Sequence, residues 1–239
     1  MNKKIKKILF KKNKTKIVCL TAYSKSIAKI LDKFCDIVLV GDSMANVLYG
    51  LKNTHTLSLK NIIQHTLSVK KGISKSLLVV DMPKGTYQNV KIAKKNASLI
   101  KSLTKCDAVK IESNNKNFQI IKELVKSKIP VMGHIGYTPQ FKKNFKIEGS
   151  TGEKLKKLNK EALKIERAGA FSLVLECVAP NASKTITKSL KIPTIGIGSS
   201  SYCDGQILVT DDMLGLSGFY PKFVKKYLNL NKMITKAVK

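Results

Sequence analysis

Five short apolar runs of the sequence are each followed by ionisable side chains. These side chains are Asp42, Asp81, Lys110 together with Glu112, His134 and Glu176. A buried carboxylate without a partner costs on the order of several kcal/mol, so a group of them needs neutralising partners. Mg²⁺ is one such partner, since it favours one or two protein carboxylates with water and substrate completing its octahedron. We therefore predict a Mg²⁺ site shared by Asp42 and Asp81, which Glu112 could join through a water.

Each of these residues also has a purely structural explanation when it is taken alone. An aspartate after a strand is more often a helix cap or a turn residue than a ligand. One lysine means little in a chain with 45 basic residues, and His134 would suit a hydrogen-bonded core position. Glu176 would suit an ion pair with a lysine. Their recurrence at the ends of successive runs, in a chain with only 15 acidic residues, favours a functional site.

Three other features carry weaker chemical signals. Residues 196–200, with the sequence GIGSS, could cradle an anion or simply form a tight turn. Cys177 lies next to Glu176, but no separate base is evident, and a buried inert thiol is the better interpretation. His55 and His65 lack a metal-like spacing, so we interpret both as structural.

The apolar runs alternate with longer segments that have helical periodicity. Strands are predicted at residues 17–20, 37–40, 77–80, 108–111, 130–132, 172–175, 194–196 and 206–209. Helices are predicted at residues 25–33, 59–72, 90–103, 117–126, 152–168, 182–190 and 221–227. This alternation implies parallel βαβ units, which fit an open doubly wound sheet or a closed barrel. Eight strands in 239 residues favour a (β/α)8 TIM barrel, with residues 1–239 as one domain whose βα loops meet at one mouth.

The N-terminal and cysteine patterns indicate the cellular compartment. Residues 1–16 are lysine-rich and lack the apolar stretch of a secretory signal. We expect an amphipathic lead-in whose Ile5, Ile8, Leu9 and Phe10 face the body of the protein. The five cysteines form no CxxC pair, and an odd number of free thiols is typical of a reducing cytoplasm. Apolar runs are far shorter than the roughly 20 residues that cross a bilayer, so we expect a cytoplasmic protein with no membrane partner.

The formal net charge of +30 is the feature that points toward a nucleic acid partner. The lysines are spread along the whole chain, however, and Arg167 is the sole arginine, although arginine recognises phosphate better. The abundance of Ile and Asn indicates an AT-rich codon bias as the main source of the lysines. We therefore predict no nucleic acid partner, and a non-catalytic, nucleic-acid-binding barrel is the alternative.

Nine strings that occur in order along the chain resemble the ketopantoate hydroxymethyltransferase family. They are LTAY (20–23), VGDS (40–43), VDMP (80–83), VKIE (109–112), PVMGHIGYTPQ (130–140), LVLECV (173–178), IPTIGIG (192–198), CDGQ (203–206) and PKFV (221–224). The part GHIGYTPQ is a specific signature, whereas GDS alone would not be. Together the strings cover nearly the whole chain.

The resemblance implies a (β/α)8 barrel of the phosphoenolpyruvate/pyruvate type and a hydroxymethyltransferase reaction. In that reaction 5,10-methylenetetrahydrofolate donates a hydroxymethyl group to 3-methyl-2-oxobutanoate, which gives 2-dehydropantoate for pantothenate biosynthesis. By the same resemblance, Asp42 and Asp81 bind Mg²⁺ directly, Glu112 binds it through water, and Glu176 is the general base. The residues implied around the oxo acid are Asp42, Ser43, Asp81, Lys110 and His134. Relatives are often decamers, so a homo-oligomer is expected.

The chain also departs from the family pattern in several loops. Ser24, Lys84, Ser113 and Asn114 stand where the family usually has Asp, Phe and two Gly. None of these positions is a proposed ligand. A second enzyme class is the remaining alternative: another Mg²⁺ and 2-oxo acid barrel of the phosphoenolpyruvate/pyruvate type, such as a lyase. It would share Asp42 and Asp81 but would not need GHIGYTPQ or the CDGQ string at 203–206.

Overall fold

A closed barrel of eight parallel strands forms the centre of the computed structural model, which describes residues 2–114, 117–142, 144–218 and 220–239. The strands are β1 (Ile17–Thr21), β2 (Ile37–Val40), β3 (Leu77–Asp81), β4 (Ala108–Glu112), β5 (Val131–Gly136), β6 (Ser172–Glu176), β7 (Thr194–Ile197) and β8 (Gly205–Leu208). Each strand pairs with the next and β8 pairs with β1, which confirms the predicted TIM-type barrel.

Helices on the outside connect most of the strands. They are α1 (Lys3–Phe10), α2 (Lys25–Leu31), α3 (Met44–Val47), α4 (Leu59–Lys70), α5 (Val90–Thr104), α6 (Phe118–Lys126), α7 (Gly152–Arg167), α8 (Pro180–Ser189), α9 (Thr210–Met213) and α10 (Leu230–Val238). Ser58, Asn89 and Thr151 cap α4, α5 and α7, because each side-chain oxygen accepts a backbone N–H of the first turn. Six of the seven predicted helices are confirmed, with ends that differ by one or two residues.

Two apolar layers hold the barrel together. Every residue of β2, β3 and β4 is buried, because one face points into the barrel and the other packs under the helices. Leu39 and Val79 belong to the inner cluster, whereas Val38 and Val80 belong to the outer cluster beneath the helices. This period-two alternation explains why the sequence shows continuous apolar runs rather than alternating ones.

Helix α1 closes the N-terminal end of the barrel. Ile5 and Ile8 are 1% and 2% exposed and pack into the inner cluster. Lys12 donates a 2.7 Å hydrogen bond to Asp204 beside β8. The prediction for Phe10 was wrong, since its side chain is 69% exposed. Phe10 lies about 200° around the helix from Ile8, on the solvent side, where the Lys14 ammonium is 3.5 Å from its ring centroid.

The C-terminal segment differs from the prediction. Residues 221–227 form a turn and irregular chain rather than the expected helix, and α9 and α10 lie on either side. Phe223 packs against Gly198, where an added Cβ would lie 2.6 Å from the Phe223 ring. This contact with the barrel mouth, which Val224 also lines, outweighs the local helical periodicity. None of the described helices is long and apolar enough to span a bilayer.

Candidate active site

Strand alternation directs the predicted ionisable residues into the barrel at the C-terminal ends of its strands. Val79, Ala108 and Val174 lie in the inner cluster. A residue two positions further along a strand has the same orientation. Asp81, Lys110 and Glu176 each follow one of these inner residues by two positions, and they therefore also point inward. The strands β3 to β6 extend further than predicted, so their ionisable residues belong to the strands themselves.

These side chains line one cavity of about 800 Å³ at the mouth of the barrel. All seven residues predicted for the site contribute to its wall: Asp42, Ser43, Asp81, Lys110, Glu112, His134 and Glu176. Apolar side chains, including Leu39, Val174, Ile197 and Ile207, form another part of the wall. The cavity thus combines a charged side with an apolar side, as small-molecule sites commonly do.

Asp81 organises the charged side of the cavity. Its Oδ1 accepts a 2.7 Å hydrogen bond from Lys110 Nζ, and its Oδ2 accepts a 3.0 Å bond from the backbone N–H of Asp42. The side chains of Asp81 and Lys110 are only 4% and 7% exposed. Gly41 precedes this backbone donor, and an added Cβ there would lie 2.9 Å from Ser43 Oγ. Glycine at position 41 therefore leaves room for the Ser43 hydroxyl in the loop after β2.

His134 lies between two carboxylates. Its Nε2 is 3.2 Å from Glu176 Oε2, and its Nδ1 is 3.8 Å from Glu112 Oε1. Neither ring nitrogen has a hydrogen bond of good geometry within the residues that the structure describes. The imidazole is 2% exposed. It can therefore donate to one of the two carboxylates after a small adjustment.

Burial is the main cause of the unusual pKa values in the cavity. Burial and the charge of Asp81 raise the pKa of Asp42 to about 6. Burial and repulsion from Asp42 raise the pKa of Glu112 well above its ordinary range. Burial raises the pKa of Glu176 to about 8, although Lys110 opposes this shift. A nearby positive charge would lower the pKa of each carboxylate. The raised values therefore indicate that the site has too little positive charge to neutralise its carboxylates.

The two basic residues of the site respond to burial in different ways. Burial and the charge of Lys110 lower the pKa of His134 well below its ordinary value, so the imidazole is neutral near pH 7. Burial alone would lower the pKa of Lys110. The carboxylates of Asp81, Asp42 and Glu112 outweigh burial and raise the Lys110 pKa above its ordinary value. Lys110 is therefore a permanent positive charge, whereas His134 is a neutral donor or acceptor.

The donor set fits a hard divalent cation. Asp42, Asp81 and Glu112 place buried carboxylates on one wall, with Lys110 as the nearby positive charge. Among the described residues, no group of three or more His, Cys, Asp or Glu side chains forms a compact metal cage. Carboxylate oxygens are the ligands that Mg²⁺ prefers, and it takes one or two of them from a protein while water and substrate complete its octahedron.

Two buried residues of the site have no place in the predicted set. The Gln140 amide donates to Asp42 Oδ2, and the Tyr87 hydroxyl donates to Gln140 Oε1. Gln140 ends the GHIGYTPQ string, so the resemblance contained the signal that could have identified it. Tyr87 gave no such signal, because its 53-residue separation from Gln140 hides the contact.

The weaker candidates have structural surroundings. Burial, followed by the charge of Glu176, raises the pKa of Cys177 to about 12, which agrees with an inert thiol. His65 Nδ1 lies 2.8 Å from the carbonyl oxygen of Tyr23. His55 lines the cavity, with its Nε2 3.0 Å from the carbonyl oxygen of Pro139. The Phe223 ring lies against Gly198 in segment 196–200, which favours the interpretation as a turn.

Comparisons of the sequence with known proteins give one family, and the match extends along nearly the whole chain. The family model for ketopantoate hydroxymethyltransferase matches residues 2–239. A 3-methyl-2-oxobutanoate hydroxymethyltransferase of Pelagibacter ubique (strain HTCC1062) is 54% identical over 237 residues, which cover 99% of this chain and 92% of that protein.

The solved structures with a similar fold are of enzymes that are not named as hydroxymethyltransferases. A phosphoenolpyruvate phosphomutase from Streptomyces platensis subsp. rosaceus has a TM-score of 0.70 at 11% identity and covers 98% of this chain and 84% of its own. A phosphonopyruvate hydrolase in complex with oxalate and Mg²⁺ has a TM-score of 0.65 at 10% identity and covers 86% of this chain and 80% of its own. At such low identity the likeness shows the fold alone, which is the predicted (β/α)8 barrel.

Proposed function

Because this chain belongs to the ketopantoate hydroxymethyltransferase family, we propose that it converts 3-methyl-2-oxobutanoate and 5,10-methylenetetrahydrofolate into 2-dehydropantoate. Water supplies the hydroxyl oxygen, and tetrahydrofolate is released. The observation that carries the proposal is the convergence of all seven predicted site residues on one cavity, in a chain that matches the family over residues 2–239. A lyase is disfavoured, since the transferase family model matches residues 2–239 and a transferase relative is 54% identical to this chain.

The charged wall suits the oxo acid head group. We assign Mg²⁺ to Asp42 and Asp81, with Glu112 as a partner through water, and the metal would supply Lewis acidity to the keto oxygen. The hydrolase neighbour holds oxalate, another small dicarbonyl anion, together with Mg²⁺. Lys110 lies 2.7 Å from Asp81 and supplies a fixed positive charge where negative charge develops on the keto oxygen. Ser43 and His134 line the same space and can donate hydrogen bonds to the substrate.

The apolar wall suits the branched end of the substrate. Leu39, Val174 and Ile207 lie on the inner side of the cavity, where they can contact the two methyl groups of 3-methyl-2-oxobutanoate. This arrangement would hold the C3–H bond between the apolar wall and Glu176. A correctly oriented C–H bond is a large part of the advantage that an enzyme gives to proton abstraction.

Glu176 is the proposed general base. Its carboxylate removes the C3 proton, the electron pair of that C–H bond moves toward the keto group, and C3 then forms a bond to the one-carbon unit. The raised pKa of Glu176, about 8, makes it a stronger base than an ordinary glutamate. The neutral His134 imidazole, 3.2 Å away, can orient the Glu176 carboxylate without neutralising it.

The remaining proposals concern the cellular location, the oligomeric state, the domain organisation and the partners of the enzyme. We propose a cytoplasmic enzyme, and the support is that all five cysteines are free and buried. We also propose a homo-oligomer, decameric as in relatives, and a single domain over residues 1–239. Neither nucleic acid nor membrane is proposed as a partner.

The test is product formation from the two substrates with and without added Mg²⁺. Wild type should form 2-dehydropantoate only with the metal, and Asp81→Ala should form none. Glu176→Gln should lose about 10²- to 10⁴-fold in kcat. Glu123→Gln on the exposed side of α6 is the matched control and should retain full activity. A folded wild type that binds metal and oxo acid but cleaves a C–C bond instead would refute the transferase and favour the lyase.

A further inference from the structure

Gln140 connects two carboxylates that come from different strands. It lies in the loop after β5 and is 1% exposed. Its amide Nε2 donates to Asp42 Oδ2 at 2.9 Å, and its backbone N–H donates to Glu112 Oε2 at 3.0 Å. One residue thus holds one oxygen of each carboxylate. Within the described residues, the hydrogen bond to the Asp42 carboxylate is at Oδ2, and Asp42 lines the cavity.

The orientation of the Gln140 amide is determined on every side. Nε2 also donates to the carbonyl oxygen of Met82 at 3.1 Å, so both of its hydrogens face acceptors. Oε1 accepts from the hydroxyl of Tyr87, which is 4% exposed. A flipped amide would bring its oxygen against two groups that can only accept, the Asp42 carboxylate and the Met82 carbonyl. The Asp42 carboxylate and the Met82 carbonyl therefore select one orientation of the amide, and the Tyr87 hydroxyl holds the amide oxygen in that orientation.

The chemistry of an amide explains why glutamine suits this place. Buried carboxylates need hydrogen-bond donors, and a lysine or arginine would provide them. A cationic side chain would also repel a metal ion at the same carboxylates. Glutamine supplies the donors without a charge, so the carboxylates keep their attraction for a cation. Lys110 already contacts Asp81, and Gln140 contacts the two carboxylates that Lys110 leaves free.

We propose that Gln140, held in place by Tyr87, is a positioning residue that sets the separation and direction of the Asp42 and Glu112 carboxylates for a divalent cation. This inference rests on the proposed function only through the assignment of the cation to Asp42 and Asp81. Gln140 acts through these carboxylates and does not touch the substrate in this role. The loop that carries the GHIGYTPQ string thereby controls metal affinity, although none of its other residues is a proposed metal ligand.

The test measures Mn²⁺ binding by electron paramagnetic resonance in the absence of either substrate. Gln140→Ala should raise the Mn²⁺ Kd by about 10- to 100-fold, the usual effect of removing a partner that orients a ligand. Tyr87→Phe keeps the amide and removes one neutral hydrogen bond, so it should raise the Kd by about fivefold. Gln206→Ala is the matched control, since the Gln206 amide donates to the carbonyl oxygen of Ser200, outside the site. It should leave the Kd unchanged.

Two further measurements separate positioning from general destabilisation. The melting temperature of each metal-free variant shows whether it folds, and the Mg²⁺ concentration that gives half-maximal turnover should rise more than kcat falls. A folded Gln140→Ala variant with the wild-type Mn²⁺ Kd overturns the inference, and so does an unchanged Kd in Tyr87→Phe if Gln140→Ala fails to fold. Asp81→Ala tests the assignment of the metal to Asp42 and Asp81 separately from the positioning role of Gln140. If it leaves Mn²⁺ binding intact, the metal assignment in the proposed function is wrong and the inference falls with it.

Discussion

The raised pKa of Glu176 implies that the proposed base destabilises the folded protein. We expect Glu176→Gln to lose activity and gain stability at the same time. Burial keeps the Glu176 pKa near 8, whereas the unfolded chain holds it near the ordinary value of 4.5. Glutamine has the size of a protonated glutamate and never ionises. The variant therefore avoids the free energy needed to bury the charge.

The magnitude follows from the size of the shift. A change of the Glu176 pKa from 4.5 to about 8 corresponds to about 5 kcal/mol, at about 1.4 kcal/mol per unit. The folded state binds this proton more tightly than the unfolded state, so wild-type stability falls as pH rises from 4.5 to about 8. Glu176→Gln should therefore exceed wild type by at most about 1 kcal/mol at pH 5, about 3 at pH 7 and about 5 at pH 9.

The assay is urea denaturation of both metal-free proteins at these three pH values. The difference in free energy of unfolding should increase with pH and level off above about pH 8. Glu123→Gln, on the surface, provides the control and should show no such trend. A difference that is the same at pH 5 and pH 9, or a variant less stable than wild type at pH 9, would refute a buried base of raised pKa. It would also remove the support that the raised pKa gives to proton abstraction by Glu176.

Three further changes test the barrel and its charged wall. Lys110→Met leaves the Asp81 carboxylate buried without its 2.7 Å partner, so it should cost about 3–5 kcal/mol, part of which added Mg²⁺ should restore in thermal unfolding. Ile8→Ala should cost about 2–5 kcal/mol in urea denaturation because Ile8 seals the barrel, whereas Phe10→Ala should change stability by less than about 0.5 kcal/mol. Gly136→Ala should cost more than about 4 kcal/mol or prevent folding, since Gly136 has φ 95° and an added Cβ would lie 2.2 Å from the Glu176 carbonyl oxygen. Circular dichroism shows whether the variant folds, and urea denaturation measures the loss of stability.

The predicted changes in the free energy of unfolding differ in sign because the active-site carboxylates have few cationic partners. Lys110 balances Asp81, so removing the lysine destabilises the protein. Glu176 lies 3.2 Å from a histidine that burial keeps neutral, so removing its charge stabilises the protein. The same lack of positive charge is what a divalent cation would correct. Stability and metal affinity are therefore coupled at this barrel mouth.

Much of the site was predictable from the sequence because it depends on strand periodicity. Parallel strands direct alternate residues to one side, and the C-terminal ends of all strands meet at one mouth. Asp81, Lys110 and Glu176 therefore had to lie together once the runs before them were recognised as strands. The family strings supported the same residues independently and added Ser43, which no charge pattern would have selected.

The sequence by itself determined the eight strands, the barrel and the ionisable residues at its mouth, because local periodicity sets the direction of each side chain. Tertiary structure alone decided the position of Phe10 on the solvent side, the non-helical course of residues 221–227 and the contact of Tyr87 with Gln140. It also decided that Gln140 joins Asp42 across 98 residues of chain. Such contacts form only when the barrel closes and brings loops from distant strands together, and no pattern within one segment contains that information.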